Sequence, residues 1–235
     1  MQRVGTAGWS LPAGTKGEGS HLFRYSRVLP CAEINSSFHR SHRASTWARW
    51  AAETPDEFRF SIKAPKTITH EAKLQATESL FRAFLEQIEP LGAKAGPVLL
   101  QLPPSLGFEE LVAQEFLPMV RTLYTGELAL EPRHASWLTA AADALLVAHR
   151  VARVAADPAK GGEEAGRPGG DRSLVYYRLH GAPRTYYSSY DEEFLDSLAS
   201  KVAGCENAWV IFDNTALAQA YGNALSLRSR MTGGL

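Results

Sequence analysis

Ten polar residues of this chain stand where apolar runs stop. Glu33 and Asn35 close "CAEINSSF", Lys63 closes "FRFSIKAP" and Gln101 closes "PVLLQLPP". Glu131 and Arg133 end "ELALEPRH", Asp157 ends "ARVAADP", Arg178 and His180 end "LVYYRLHG", and Asp213 ends "AWVIFDNT". Glu131, His180, Asp157 and Glu33 are the types that hold or move a proton once neighbours bring their pKa toward neutrality. Lys63, Arg133 and Arg178 can clamp a carboxylate or phosphate, the arginines in bidentate fashion, with Asn35 and Gln101 as neutral hydrogen-bonding partners. Flat rings that could stack on a sugar or a base follow several of the same runs, among them Trp9, Tyr187 and Tyr190, with Phe38 and Trp137 in similar places. His70 and His134 also follow strand ends. The plainer alternative is a set of internal salt bridges, with Glu131 and an arginine as the first pair expected.

These residues need elements that bring them together. Eight runs read as buried strands: 3–9, 31–38, 58–65, 97–104, 127–134, 152–158, 174–181 and 208–215. They are too apolar for a half-exposed antiparallel sheet and stop at Pro, Gly or Asn. Helical spacing lies between most of them, as in Leu80, Phe81, Phe84, Leu85 and Ile88, or Phe194, Leu195, Leu198 and Val202 after the N-cap type Asp191. Further stripes surround Trp47 and Trp50, include Leu111, Phe116 and Val120, and run through 138–150 and 215–227. The pattern is that of a single α/β domain over 1–235, a (β/α)8 TIM-type barrel. A doubly wound open sheet is the competing arrangement, and "GTAGWSLPAG" lacks its phosphate-binding glycine pattern. Residues 159–173, rich in glycine and without apolar period, predict a loop in place of a helix, either a lid or a surface insertion. Residues 10–20 leave room for only a short first helix.

Strand parity sorts the faces. The helix-facing set must be apolar, so Leu128 and Leu130 send Ala129, Glu131 and Arg133 inward. The same test turns Glu33, Asn35, Lys63, Gln101, Arg178, His180 and Asp213 inward, and Asp157 is assigned with them. Seven of the eight strands then end in an inward polar residue at the C-terminal mouth, where such barrels build active sites.

Composition narrows the partners. Lys plus Arg and Asp plus Glu both number 25, which argues against a polyanion or an anionic membrane as main partner without excluding single-stranded nucleic acid or a nucleotide. Cys31 and Cys205 lie in or beside apolar runs and read as core thiols. No signal-like start or membrane-length apolar run is present, so a cytoplasmic protein is expected.

In chain order, "GTAGW", "EINSSF", "FSIKAPKTITH", "GPVLLQLPPS", "EPRHASW", "AADP", "YYRLHG" and "FDNT" resemble the YecE-like family, domain of unknown function 72. The resemblance covers nearly the whole chain and implies a TIM-type barrel and a sugar-isomerase-related protein, without an established reaction. Two departures are visible. The segment after "GW" is the Gly-rich "SLPAGTKGEG" rather than a longer aromatic one, and Asp213-Asn214 stands where members tend to have two asparagines.

Three functions follow. Glu131, Asp157, His180 and Asp213, on consecutive strands, resemble the metal set of xylose-isomerase-like barrels, which would make an isomerase or epimerase using Mg or Mn. Arg133 and Arg178 would compete with that metal. Metal-free acid-base catalysis on a small polar or anionic substrate is the second, and a hydrolase is its variant if two carboxylates flank a glycosidic bond. A non-catalytic binder of a nucleotide, phosphate or single-stranded nucleic acid is the third.

Overall fold

Val98 to Leu100 and Val210 to Phe212 are apolar on both parities, which demands a sheet covered on both faces. The computed structural model describes residues 1–233. Its strands are β1 Gln2–Ala7, β2 Cys31–Ile34, β3 Arg59–Lys63, β4 Ala95–Gln101, β5 Leu128–Glu131, β6 Val151–Arg153, β7 Ala155–Asp157, β8 Gly169–Gly170, β9 Val175–Leu179 and β10 Ala208–Phe212. Strands β1 to β6 are parallel neighbours in chain order. Strand β1 also pairs with β10, β10 with β9, and β9 with β7, all parallel.

One residue, Val154, separates β6 from β7, so the two flanks of the sheet order are consecutive stretches of chain, and the sheet is a nearly closed barrel. Neighbours in chain order are neighbours in the sheet, which excludes a doubly wound open arrangement. The sheet has ten mixed strands rather than the eight parallel ones expected. The ladder changes partner at Val154, from β5 to β9, and the two-residue β8 adds an antiparallel edge to β6.

Seven α-helices among the described residues accompany the strands: α1 His21–Ser26, α2 Ala44–Glu53, α3 Glu78–Ile88, α4 Glu110–Leu123, α5 Ala140–Ala148, α6 Glu192–Ala203 and α7 Gln219–Thr232. The short α1 is what residues 10–20 left room for, and Ser20 caps it by accepting from the Phe23 N–H. Asp191 caps α6 in the same way through Phe194. The stripes of α3 and α6 bury Phe81, Phe84 and Ile88, and Leu195, Leu198 and Val202, whereas Leu111 is exposed. No α-helix forms in 159–173. That segment passes His134 and Ala135 at the C-terminal end of β5 and runs back to β8 beside β6. Gly170 N–H and Arg153 both bond the Asp143 carboxylate of α5, so the segment is fastened to the barrel's outside where a crossover helix would lie.

Parity separates two cores. Ala32, Ile34, Phe60, Ile62, Val98, Leu100, Leu128, Leu130, Val210 and Phe212 join the outer core with the helices. Ala7, Cys31, Leu99, Ala129, Ala152, Val154, Tyr176, Trp209 and Ile211 form the barrel interior. Cys31 is therefore a core thiol, while Cys205 is only half-buried against the outer core. No helix among the described residues is long and apolar enough to cross a membrane.

Two glycines separate backbone constraint from freedom. A Cβ on Gly5 would sit 2.1 Å from the Cys31 carbonyl oxygen across the β1–β2 ladder, whereas one on Gly222, inside α7, meets nothing within 4 Å. Gly5→Ala should therefore destabilise by at least about 1–3 kcal/mol through forced strand displacement. Gly222→Ala should stabilise by roughly 0.5–1 kcal/mol through a less flexible unfolded chain. Urea unfolding midpoints of the two variants should move in opposite directions.

Candidate functional site

Inside the barrel each strand alternates, and its inward side chains change from apolar to polar toward the C-terminal end. Tyr176 is followed inward by Arg178 and His180 on β9, Cys31 by Glu33 on β2, and Ala129 by Glu131 on β5. Ile211 is likewise followed by Asp213 at the end of β10, Leu99 by Gln101 on β4, and Ser61 by Lys63 on β3. Below this layer Trp209 lies parallel to the Tyr176 ring, their centroids 6.4 Å apart, and closes the interior.

Arg178, fully buried, occupies the middle of the polar layer. Its Nε and Nη2 donate to the two Glu33 oxygens at 3.0 and 2.6 Å, a bidentate pair. Its Nη1 donates to Glu131 Oε2 at 2.7 Å, and Nη2 also reaches Asp213 Oδ2 at 3.2 Å. The Tyr176 hydroxyl bridges Glu33 Oε2 at 2.9 Å and Ser61 Oγ at 2.7 Å. Glu131 accepts in addition from Gln101 Nε2 at 2.8 Å and from Arg133 Nη2 at 3.2 Å. Burial works to raise the Glu131 carboxyl, but Arg178, His180 and Arg133 together outweigh it and hold it well below the usual carboxylate range.

His180 spans two carboxylates, with Nε2 3.0 Å from Glu131 Oε1 and Nδ1 3.0 Å from Asp213 Oδ2. Two acceptors on one imidazole require both nitrogens to carry hydrogen, the imidazolium form. Burial opposes that charge, yet Glu131 and the hydrogen bonds to Asp213 and Glu131 raise the pKa overall. Asp213 is the outermost carboxylate, its side chain 13 % exposed against 0 % for Glu33 and 1 % for Glu131.

Lys63 differs from the other cations of the layer. It forms no ion pair among the described residues, and its Nζ lies 4.1 Å from the centre of the Phe38 ring. Burial and then Arg178 lower its pKa to about 8, against the opposing pull of Glu33, Glu131 and Asp213. His70 packs edge-on against the same Phe38 ring, at 4.9 Å between centroids. It sits in a π-helical turn, Thr67–Glu71, directly after β3, and such turns recur at functional sites. Burial, then Lys63 and Arg133, lower the His70 pKa. Lys63 and Arg133 thus set a positive potential at His70 that keeps its ring toward the neutral form, and of the two cations only Arg133 has a carboxylate partner, Glu131.

Beside this patch a cavity of about 430 Å³ opens at the ends of β1, β2 and β10, lined by Trp9, Asn35 and Thr215. The Asn35 Oδ1 atom is buried without a hydrogen-bond partner. A larger cavity, about 850 Å³, lies at the other end of the barrel, around Val175, Tyr177, Lys201 and Asn207. It contains no member of the polar layer, and convergent charge marks a reacting site better than volume does.

Three expected site residues stand elsewhere. Asp157 pairs in register with the outward Leu179, and its carboxylate accepts from the Tyr190 hydroxyl at 2.8 Å. The alternation passes through Val154, an interior residue, which turns Asp157 outward. Tyr190 is buried, stacked on Phe194 at 4.3 Å, and accepts from the Gly181 N–H. Tyr187 is exposed and covers Arg184. The proposed metal set therefore does not assemble. Asp157 faces away, both His180 nitrogens are bonded to carboxylates, Arg178 lies between the carboxylates, and no group of three or more His, Cys, Asp or Glu among the described residues is arranged to hold an ion.

Other contributors were not singled out by sequence. Tyr176 and Ser61 share the inward parity of Arg178 and Lys63, a signal that was present. Tyr186, its ring edge-on to His180 at 5.9 Å and its φ at 71°, lies in a loop where no period exists to find it.

Comparison with known proteins places this geometry in a family. The model described as "Protein of unknown function DUF72" matches residues 3–234. UPF0759 protein YecE of Escherichia coli strain K12 is 34 % identical over 113 residues, covering 48 % of this chain and 42 % of that protein, so the matched stretch spans less than half the length of the relative. The crystal structure of a DUF72 family protein from Enterococcus faecalis V583 superposes with a TM-score of 0.84 at 22 % identity, over 98 % of this chain and 95 % of that one. A sugar phosphate isomerase/epimerase from Parabacteroides distasonis ATCC 8503 shares the fold more loosely, with a TM-score of 0.56 at 10 % identity over 90 % and 87 % of the chains.

Two measurements probe the ion layer. Arg178→Met leaves three carboxylates without their common cation and should cost about 3–5 kcal/mol in urea unfolding. The folded pKa of His180 lies above its unfolded value near 6.5, so its stabilisation is complete below that pH and is lost as pH rises through the folded pKa. Wild type should lose stability across that window, and His180→Gln should flatten the loss.

Proposed function

From a chain that belongs to the DUF72 family, and from a barrel mouth where the cations Lys63 and Arg133 border a buried ion layer, we propose an enzyme that acts on a small anionic substrate by metal-free acid-base chemistry. The observation that carries this reading is Lys63, a desolvated cation without a carboxylate of its own, whose pKa burial and then Arg178 depress and which with Arg133 depresses that of His70. Such a potential costs stability in the empty protein and is relieved by a bound oxyanion. We read the fold as a (β/α)8 barrel with its sixth strand in two parts, and the site as its C-terminal mouth.

Lys63 and Arg133 hold the anionic end of the substrate, and Trp9 and Asn35 line the space for its polar body. Asp213 is the carboxylate within reach of substrate, and His180 behind it supplies or takes up the proton. Glu33 and Glu131, saturated by Arg178, Gln101 and Tyr176, position that pair rather than touch substrate. Because both are tied to one guanidinium, they cannot flank a glycosidic bond, which favours isomerase or epimerase chemistry over hydrolysis. The fold shared with a sugar phosphate isomerase/epimerase is compatible with a phosphorylated sugar as substrate.

Calorimetric titration with inorganic phosphate tests the anion site. Wild type should bind, and Lys63→Met or Arg133→Met should weaken binding about tenfold or more, since a hydrogen bond to a charged group is worth about 1.5–3 kcal/mol. Affinity should fall as pH rises through about 8, where Lys63 loses its proton. Unchanged affinity in both variants would remove the reading.

A further inference from the structure

Lys63 is more than the charge that an anion needs. Arginine stays charged at every accessible pH and offers a rigid fork, and this chain uses arginine at the two neighbouring stations, Arg133 and Arg178. A lysine buried beside another cation is instead the arrangement that yields a free, nucleophilic amine. Lys63 has that environment: it is 8 % exposed, ends an interior strand position, has the Phe38 ring as one wall and makes no ion pair among the described residues. The titratable and charged groups that act on it are Arg178, Glu33, Glu131 and Asp213 within the layer, with His70 beside the same Phe38 ring and Arg133 acting on His70 from the mouth.

We propose that Lys63 is the covalent nucleophile for an aldehyde or ketone carried by a small phosphorylated or carboxylated molecule, which it captures as an imine. The proposal rests on the reading of this mouth as an oxyanion site: protonated Lys63 helps Arg133 draw in the charged end, and Arg133 keeps that end once Lys63 has turned to the carbonyl. The Nζ lone pair adds to the carbonyl carbon while the C=O π pair moves to oxygen. One N–H proton of the adduct passes to that oxygen, a proton from the Asp213–His180 pair then makes it the leaving group, water departs, and the second N–H proton returns to the pair as C=N forms. The balance is amine plus carbonyl giving imine plus water, with no oxidant or reductant. Protonation of the imine withdraws electrons from the adjacent C–H bond, which lets a modest base such as Asp213 remove that proton. With its pKa near 8, Lys63 at neutral pH holds about 200 times more free amine than an ordinary lysine near 10.4.

The test is reductive trapping of the whole protein with glycolaldehyde phosphate and cyanoborohydride, read by intact mass and by peptide mapping. Labelling should concentrate on Lys63, faster than on any other lysine by on the order of tenfold. Inorganic phosphate should protect it, and uncharged glycolaldehyde should label it less. Lys63→Arg should lose the adduct and keep phosphate binding. Lys66→Arg, at an exposed residue paired with Glu71, should leave Lys63 labelling unchanged. Adduct spread evenly over exposed lysines, with the same total in Lys63→Arg, would overturn the proposal. If phosphate still binds in that case, the anion site survives and only the nucleophile falls. If Lys63 is labelled but phosphate neither binds nor protects, the nucleophile stands and the anion reading falls.

Discussion

A guanidinium with no access to water fixes the rest of this molecule. Arg178 would be untenable inside a protein without acid partners, and it takes three, from β2, β5 and the end of β10. Those strands are not neighbours, so only a sheet wrapped into a barrel can bring Glu33, Glu131 and Asp213 to one point. The bidentate bond to Glu33 sets the orientation of the guanidinium, and its remaining nitrogen then sets that of Glu131. From Glu131 the order passes to Gln101, Arg133 and His180, until nearly every lone pair of that carboxylate is used. Lys63 gains its character from the same source, since Arg178 is the cation that opposes its charge.

The layer also explains how a chain with balanced charge can present a local field. Glu33 and Glu131 are turned into the Arg178 fork, and Lys63 is the cation of the layer without an ion pair among the described residues. An approaching solute meets Arg133, Lys63 and the rim carboxylate Asp213, with Glu33 and Glu131 behind them. Net charge says nothing about this separation, because it depends on depth rather than on number.

Much of the arrangement was legible in sequence, for a simple reason. On β5 the contrast of Leu128 and Leu130 with Ala129 and Glu131 states the parity outright, and Val175, Tyr177 and Leu179 do the same on β9. Where the contrast disappears, the reading fails. "AADP" offers only alanines before Asp157, so nothing in it shows which face is outer, and the residue that decides the matter, Val154, lies where the ladder changes partner. Loop aromatics have no period at all. Tyr187 and Tyr190 were singled out and Tyr186 was not, yet Tyr186, at a left-handed backbone position, is the one whose ring meets His180. The metal set failed in two ways: Asp157 lies on the other face, which sequence did not show, and Arg178, whose competition sequence did suggest, lies between the carboxylates.

The change of partner at Val154 gives the barrel a seam. Strand β7 has a ladder neighbour on one side only, β9, and β6 is finished by a two-residue strand instead of a full one. The crossover at this place is a loop fastened by Asp143 and Arg153 rather than a helix pressed into the outer core. Elsewhere each strand is held by two neighbours and a helical layer. The seam is accordingly where local opening costs least, and where insertions could accumulate over evolutionary time without disturbing the ion layer.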